Sequence, residues 1–410
     1  MIAIDSNVWP MDALLEQLVS TSASTSTKAS ESARLELLLA DFLACAYAGR
    51  SRYDAGPFMQ DGVAGIAALL ALRSSANDLD DVDWYSLHHP GSVVWPVALA
   101  LAMHSDSQGN LLSQAARAGY TTAATIADHL GTTHRATWHV TATAGALGAA
   151  SAASVMLQLS DTNHLRALKL AAANVGGLAL AARERRGAAS FNRAAATTLG
   201  LIAARAASVE AEAVFAPIDG PGGLMQAMSG VSSKGEPRVR RGVLDASVRL
   251  YPVSGFLQSV VAATTTLRTR VSGDVRSIRI GVPEGIRSLV DGEVGGPWWD
   301  ARLSALRAWA GADPFLADIP CNLDAFVQIV ELYSTDLPAG YSNVTVTTET
   351  GEGSIAVSSP PMLSEPSTQI ALNRKWSTIL NFTEPSITDL AQAALSSEVF
   401  GAELKEVLLP

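Results

Sequence analysis

Apolar residues recur at helical spacing over residues 32–213, which are rich in alanine and leucine. Small residues on many faces of these segments indicate helices that pack closely in more than one layer. We therefore expect a compact all-helical domain. The positions that show the helical spacing best are Leu35, Leu38, Leu39, Phe42 and Leu43 in one segment, and Leu165, Leu168, Leu170 and Val175 in another.

The pattern becomes mixed after residue 242. Residues 275–282 alternate in the manner of a half-buried strand, and residues 343–348 and 353–358 predict a hairpin joined through 349–352. Residues 301–310 and 323–333 predict helices, and residues 387–409 predict helical structure that returns to the first domain. The predicted fold is mainly α: an all-helical domain of residues 1–245 and 376–410, with an inserted α+β domain of residues 246–375.

Composition excludes some classes of partner for this chain of 410 residues. The formal charge of −10 provides no overall basic face for nucleic acid. Two cysteines, Cys45 and Cys321, form neither a disulfide framework nor a metal site, which favours a reducing cytoplasm. We identify no export signal. The apolar runs at 93–103 and 142–157 are too short, or too rich in small polar residues, to predict membrane spans.

All seven histidines lie between His88 and His164, and two of the segments that carry them are typical of active sites. His139 precedes a helix of small residues, whose N-terminus favours a carboxylate or enolate oxygen. His88 and His89 follow a run of aspartates, and a carboxylate near an imidazole can orient it. The alternative is a solvated acidic loop with a helix cap. The remaining histidines, for which we expect structural roles and no metal ligation, are His104, His129, His134 and His164.

Several segments follow one another along the chain: residues 37–49, Asp78-Leu79-Asp80-Asp81, His89-Pro90-Gly91-Ser92, residues 138–145 and Tyr251-Pro252. In their order and spacing, these segments resemble the MmgE/PrpD family, which includes 2-methylcitrate dehydratase and cis-aconitate decarboxylase. The resemblance implies an all-helical domain, an α+β lid domain, a homodimer, and an active site between the domains without metal or organic cofactor. It implies catalytic roles for Asp78, His89 and His139, with His88 as a substitute because the Asp-to-His spacing is one residue longer.

The chain also departs from the family pattern. Asn192-Arg193-Ala194-Ala195 matches a Gly-Arg-Ala-Ala-like stretch, and Gly187 stands where the family has a lysine, with Arg185 and Arg186 close by. A second lysine is replaced by Arg249, and the family's Phe-Ser-x-x-Tyr reads as residues 303–307, without the tyrosine. Arginines can still clamp a carboxylate. We expect a substrate-binding group of Arg249, Arg193, Arg307, Tyr251 and Ser304.

These observations predict a lyase, either a dehydratase or a decarboxylase, that acts by histidine acid/base chemistry on a small carboxylate. Fewer cationic and hydroxyl groups argue against the usual tricarboxylates and favour a less charged, larger substrate, as in a biosynthetic pathway. Two alternatives stay open. The first is a proton-transfer isomerase, epimerase or ring-forming enzyme on the same scaffold. The second is a non-catalytic scaffold with a degenerate site.

Overall fold

The computed structural model describes residues 10–22, 29–105, 109–184, 187–230, 238–292, 299–311, 323–360, 366–380, 387–396 and 401–410. It forms two compact units. The helical unit lies within Met1–Ala182, Gly187–Ala246 and Thr383–Pro410, and the sheet unit lies within Arg183–Arg186 and Ser247–Phe382. The protein is mainly α with a small mixed sheet, which confirms the predicted fold class.

Most of the described residues before Ala246 are helical, and the chain contributes two further helices to the helical unit near its end. Short 3-10 helices occupy Gly49–Ser51 and Gly242–Leu244, and two-residue strands occupy Val82–Asp83 (β1) and Ala246–Ser247 (β2). The α-helices are α1 (Pro10–Ser22), α2 (Ala29–Ala48), α3 (Gly56–Met59), α4 (Gly62–Ser75), α5 (Gly91–Ser105), α6 (Gly109–Arg135), α7 (Val140–Met156), α8 (Asp161–Ala172), α9 (Ala179–Arg183), α10 (Ala188–Ser208), α11 (Leu224–Ser229), α16 (Ile387–Ser396) and α17 (Gly401–Leu408).

Helix α7 is the centre of the helical unit. Every residue of it except Val155 is buried, and α5, α6, α8 and α10 pack around it. Small residues allow this close approach. A Cβ atom at Gly148 would lie 2.8 Å from the Gly119 carbonyl oxygen of α6, and one at Gly200 of α10 would lie 2.6 Å from the Ala150 nitrogen. The backbones therefore pack at distances that a larger residue would prevent.

The sheet unit is built on a four-stranded sheet with the order β4-β3-β5-β6. The central strand β3 pairs in parallel with β4 and antiparallel with β5, and β5 pairs antiparallel with β6. Short 3-10 helices precede α12 at Gly255–Leu257 and β4 at Leu323–Ile329. The elements are α12 (Gln258–Arg268), β3 (Val275–Pro283), α13 (Glu284–Arg287), α14 (Ala301–Ala310), β4 (Val330–Thr335), β5 (Ser342–Thr348), β6 (Glu352–Ser358) and α15 (Pro366–Leu380).

The structure confirms most of the elements predicted after residue 242. The strand at 275–282, the hairpin at 343–358 and the helix at 301–310 are present as β3, β5 with β6, and α14. The helix predicted at 323–333 is wrong, because a 3-10 helix there is followed by strand β4. Val330 and Leu332 are buried in β4 and Glu331 between them is exposed, so the apolar residues follow the period of a strand.

None of the helices in the described ranges combines the length and the apolar character needed to cross a lipid bilayer.

Candidate active site

His139 immediately precedes the first turn of α7. Its backbone is extended, its carbonyl accepts hydrogen bonds from the amides of Ala142 and Thr143, and its own amide donates to the Gly177 carbonyl at 2.9 Å. The side chain is buried. The ring therefore has a fixed place at the positive end of a long helix, where negative charge on a ligand is favoured.

Asn192 of α10 is the side chain that contacts the His139 ring. Its Nδ2 atom lies 3.3 Å from Nδ1 of His139 and donates to the Leu178 carbonyl at 3.2 Å. Trp138 and Leu178 form a β-bridge beside it. The sequence offered only an indirect signal for Asn192, its place next to Arg193, because its meeting with His139 depends on how α10 packs against α7.

His139 is neutral at pH 7. Burial and the positive charge of Arg193 lower its pKa to about 3, and the carboxylate of Asp80 acts in the opposite direction. A neutral imidazole carries one N–H donor and one lone pair, so each nitrogen has a distinct task.

His89 is fixed by three groups. Its Nδ1 atom lies 2.6 Å from the carbonyl oxygen of Asp81 and 3.7 Å from Oδ2 of Asp80. Its backbone amide donates to Oγ1 of Thr141 in α7 at 3.1 Å. The helix that begins after His139 therefore also anchors His89, and the side chain of His89 remains partly accessible.

A buried ion pair lies beside both histidines. Nη1 of Arg193 donates to Oδ2 of Asp80 at 2.9 Å, and the Asp80 side chain is only 2% exposed. Asp78 lies at the edge of this group: its side chain is 40% exposed, and its Oδ1 is 4.0 Å from Arg193. The sequence prediction named Asp78. The structure brings its neighbour Asp80 to His89, and a catalytic role for Asp78 stays a prediction.

Asp81 supports the turn that carries His89. Its carboxylate accepts from the Gly91 amide at 2.9 Å and from the Tyr120 hydroxyl at 2.8 Å, while that hydroxyl accepts from Nε1 of Trp95. Burial and the nearby Asp80 raise the pKa of Asp81 to about 8, against the lowering effect of its two donors. A Cβ atom at Gly91 would lie 2.6 Å from the Tyr120 hydroxyl, so this position requires glycine.

His88 has different partners from His89. It is fully buried, its Nδ1 is 2.7 Å from the Ser86 hydroxyl, and its Nε2 has no hydrogen-bond partner among the described residues. Burial lowers its pKa to about 4. Its carbonyl accepts from the Asp83 amide, and Asp83 pairs with Arg240 at 3.4 Å. A role for His88 as a substitute for His89 stays a prediction.

The remaining predicted binding residues belong to the sheet unit. Arg249, Ser304 and Arg307 are buried, and the Ser304 hydroxyl has no hydrogen-bond partner among the described residues. Burial raises the pKa of Tyr251 and lowers that of Arg307. Contacts of these residues and of Arg193 with a substrate stay predictions. Arg185, Arg186 and Cys321 lie outside the described residues.

One buried side chain holds the loop that contains Tyr251. Oε1 of Gln258 accepts from the amides of Leu250 at 2.8 Å and Tyr251 at 3.0 Å. Its Nε2 donates to the carbonyls of Tyr251 at 2.7 Å and Val253 at 3.1 Å. The side-chain amide of Gln258 thus accepts two hydrogen bonds from the loop and donates two to it, which fixes the backbone next to Arg249.

Three other histidines make contacts typical of structural residues. His134 pairs with the Thr143 hydroxyl at 2.8 Å, His164 with the Ser151 hydroxyl at 3.0 Å, and His129 with the Thr125 carbonyl at 2.7 Å. Within the ranges that the structure describes, no group of three or more His, Cys, Asp or Glu side chains could hold a metal ion.

Comparison with protein families supports the resemblance that the sequence motifs indicate. Residues 64–236 match the MmgE/PrpD N-terminal domain. This range contains His89 and His139 together with Asp80, Asn192 and Arg193. No curated protein matches the chain. The family match agrees with the order of the motifs along the helical unit and supports membership of the MmgE/PrpD family.

Proposed function

We propose that the protein is a lyase of the MmgE/PrpD type, a dehydratase or a decarboxylase, that uses histidine acid/base chemistry on a carboxylate-bearing small molecule. One observation carries the proposal. Within the family domain, the buried Asp80–Arg193 pair links His89 to His139: Asp80 contacts both His89 and Arg193, and Asn192, adjacent to Arg193 in the chain, contacts His139. Family membership supports a dehydratase or lyase type of enzyme.

The group has the parts that these reactions need. Dehydration of a β-hydroxy acid removes a carbon-bound proton, forms a C=C bond and releases the hydroxyl as water. Decarboxylation breaks a C–C bond, leaves the electron pair in an enolate, and ends with protonation of carbon. Both require a proton-transfer group and a donor that stabilises an enolate oxygen. His89 and His139 can fill these two roles.

The surroundings of His139 favour a substrate with an apolar part. Leu178, whose carbonyl accepts from Asn192 next to the His139 ring, is 55% exposed. Arg193, a described cation whose charge acts on His139, is already paired with Asp80. Because the charge of Arg193 is already neutralised in this pair, we propose a less charged, larger acid than the tricarboxylates. Arg249 and Arg307 are the proposed carboxylate clamp.

The same two histidines would also serve a proton-transfer isomerase, epimerase or ring-forming enzyme, because such a reaction needs only a proton acceptor and a donor. The products separate the two classes. A lyase changes the mass of its substrate by one water or one carbon dioxide, whereas an isomerase or cyclase conserves it.

The test is mass spectrometry of a small-molecule extract incubated with the full chain, with His139→Gln and His89→Gln variants in parallel. His164→Gln is the matched control, since His164 lies on α8 and bonds the Ser151 hydroxyl. We expect loss of water or carbon dioxide from one organic acid with the wild type and the control, and none with the two site variants. Conversion that survives in both variants, or no conversion with the wild type, would refute the proposal; the latter outcome favours a scaffold.

We also propose that the protein acts as a homodimer, as the family resemblance implies, and that it does so in the cytoplasm, which its two cysteines favour. An exposed apolar stripe on one face of α10 supports self-association. The stripe consists of Phe191, Ala195 and Ile202 and continues to Val209, the residue directly after the helix. Light scattering of the wild type and of Ile202→Lys tests this. A monomeric wild type would contradict it.

A further inference from the structure

We infer that the structure holds His139 and His89 as opposite tautomers, His139 with its proton on Nε2 and His89 with its lone pair on Nε2, and that Asn192 is the positioning residue that sets the tautomer of His139. This inference rests on the proposed function for its catalytic meaning, but not for its geometry. It assigns the role of donor to His139 and the role of base to His89.

The tautomer of His89 follows from what its Nδ1 faces. The Asp81 carbonyl oxygen, 2.6 Å away, can only accept a hydrogen bond, and so can the carboxylate of Asp80 at 3.7 Å. The proton of a neutral ring therefore lies on Nδ1. The lone pair is on Nε2, which makes this nitrogen the proton acceptor.

The tautomer of His139 follows from the orientation of Asn192. The Leu178 carbonyl can only accept, so the amide group 3.2 Å from it is the NH2 of Asn192. The second hydrogen of that NH2 is available to Nδ1 of His139 at 3.3 Å. Nδ1 therefore accepts, and the ring proton lies on Nε2. A neutral imidazole in this state is a hydrogen-bond donor toward a developing oxyanion.

The charges nearby keep this arrangement. Arg193 and burial disfavour an imidazolium at His139, and the ring stays neutral although Asp80 is near. Gly177 adds a steric constraint, because a Cβ atom there would lie 3.3 Å from the Asn192 amide. Asn192 stands where the matching family stretch has glycine, and a glycine has no side chain to donate. An asparagine at this position can therefore fix the tautomer of His139, whereas the glycine of the family stretch could not.

The two roles give a balanced elimination. Nε2 of His89 takes the proton from carbon, and the electron pair moves into an enolate whose oxygen accepts from Nε2–H of His139. The C=C bond forms as the C–O bond breaks, and the proton on His89 passes to the leaving hydroxyl. Water departs and both rings end as they began. His139 stabilises charge and transfers no proton.

The test reads the tautomers directly. Nitrogen-15 chemical shifts of histidine distinguish a ring nitrogen with a lone pair from one with a proton, and the full chain labelled with nitrogen-15 histidine needs no substrate. Signals are assigned with His139→Gln and His89→Gln. We expect a proton on Nε2 of His139 and on Nδ1 of His89. Equal tautomers, or the reverse pair, would overturn the inference.

Asn192→Asp tests the positioning role. A carboxylate can only accept, so the variant moves the His139 proton to Nδ1, and we expect turnover to fall about 100-fold through loss of the oxyanion donor. Asn174→Asp is the matched control: Asn174 is exposed, and within the described part of the chain its side chain bonds the backbone carbonyl of Leu170. If Asn192→Asp does not fold, Asn192→Leu removes the donor, and we expect mixed tautomers at His139. An unchanged His139 spectrum in a folded variant would refute the role of Asn192.

The outcomes separate this inference from the proposed function. Opposite tautomers in a protein that converts no acid would contradict the proposed function and leave the geometry standing. Conversion of an acid by a protein whose His139 carries its proton on Nδ1 would contradict the inference alone.

Discussion

Nη1 of Arg193 lies 2.9 Å from Oδ2 of Asp80, and the two buried residues are 113 positions apart in the chain. The pair joins α10 to the loop before β1. His89 contacts Asp80, and Asn192, which directly precedes Arg193, contacts His139. The distance between the two histidine-bearing segments therefore depends on the Arg193–Asp80 contact.

Asp80→Asn is therefore expected to lower the free energy of unfolding by about 3–5 kcal/mol, since it leaves the buried guanidinium of Arg193 without its charge partner. Asp78→Asn is the control. Its exposed carboxylate is 4.0 Å from the same arginine, and the loss should not exceed about 1 kcal/mol. Urea denaturation measures both. Equal effects would show that the ion pair does not hold this region.

Gly91→Ala is expected to destabilise the protein by about 1–3 kcal/mol, because the new methyl group must displace the Tyr120 hydroxyl or the Asp81 carboxylate. The same change should move the His89 signals in a histidine spectrum. Gly285→Ala serves as the control, since a Cβ atom there would have no neighbour within 4 Å. A Gly91→Ala protein as stable as the control would rule out the predicted clash.

Stability should fall as the pH drops from about 6.5 to about 4. Burial lowers the pKa of His164 to about 4, so the unfolded chain binds this proton first and acid favours unfolding. This group alone accounts for about 2 kcal/mol between pH 7 and pH 5. His164→Gln should flatten the dependence by that amount, measured by urea denaturation at both pH values. His104→Gln, at an exposed position, should keep the wild-type dependence.

Gln258→Leu is expected to cost about 3 kcal/mol or more, because it removes the partners of four buried or half-buried backbone groups in the loop at 250–253. It should also raise KM for the substrate, since the loop carries Tyr251 and directly follows Arg249. Gln226→Leu is the control, because Gln226 is exposed and accepts from one amide, that of Gly222. If KM is unchanged in a destabilised Gln258→Leu protein, the loop does not bind the substrate.

Elements defined by local patterns could be predicted from the sequence. The hairpin of β5 and β6 has an alternating first strand and a short polar turn, and α14 has helical spacing after a capping aspartate, Asp300. Strand β4 could not be predicted, because its apolar residues suit the period of a helix as well as that of a strand. Its pairing with β3 joins residues about fifty positions apart. Long-range pairing decides such a segment.

The site divides in the same way. His139 and His89 stand in recognisable motifs, so the sequence pointed to both. Choosing Asp80 over Asp78 requires the left-handed backbone at Asp78, with φ of +53°, and the resulting direction of each side chain. Asn192 requires the packing of α10 on α7. Neither fact is encoded within a few residues of the motif.

The dense packing of α7 has a consequence for how this protein can vary. The helix is about 25 Å long, at 1.5 Å for each residue, and His139 is fixed at one end of it. A side chain larger than hydrogen at Gly148 or Gly200 has no free space and must push α7 away from α6 or from α10. The reactive imidazole would move with it. The positions least tolerant of mutation should therefore include glycines that no substrate ever touches.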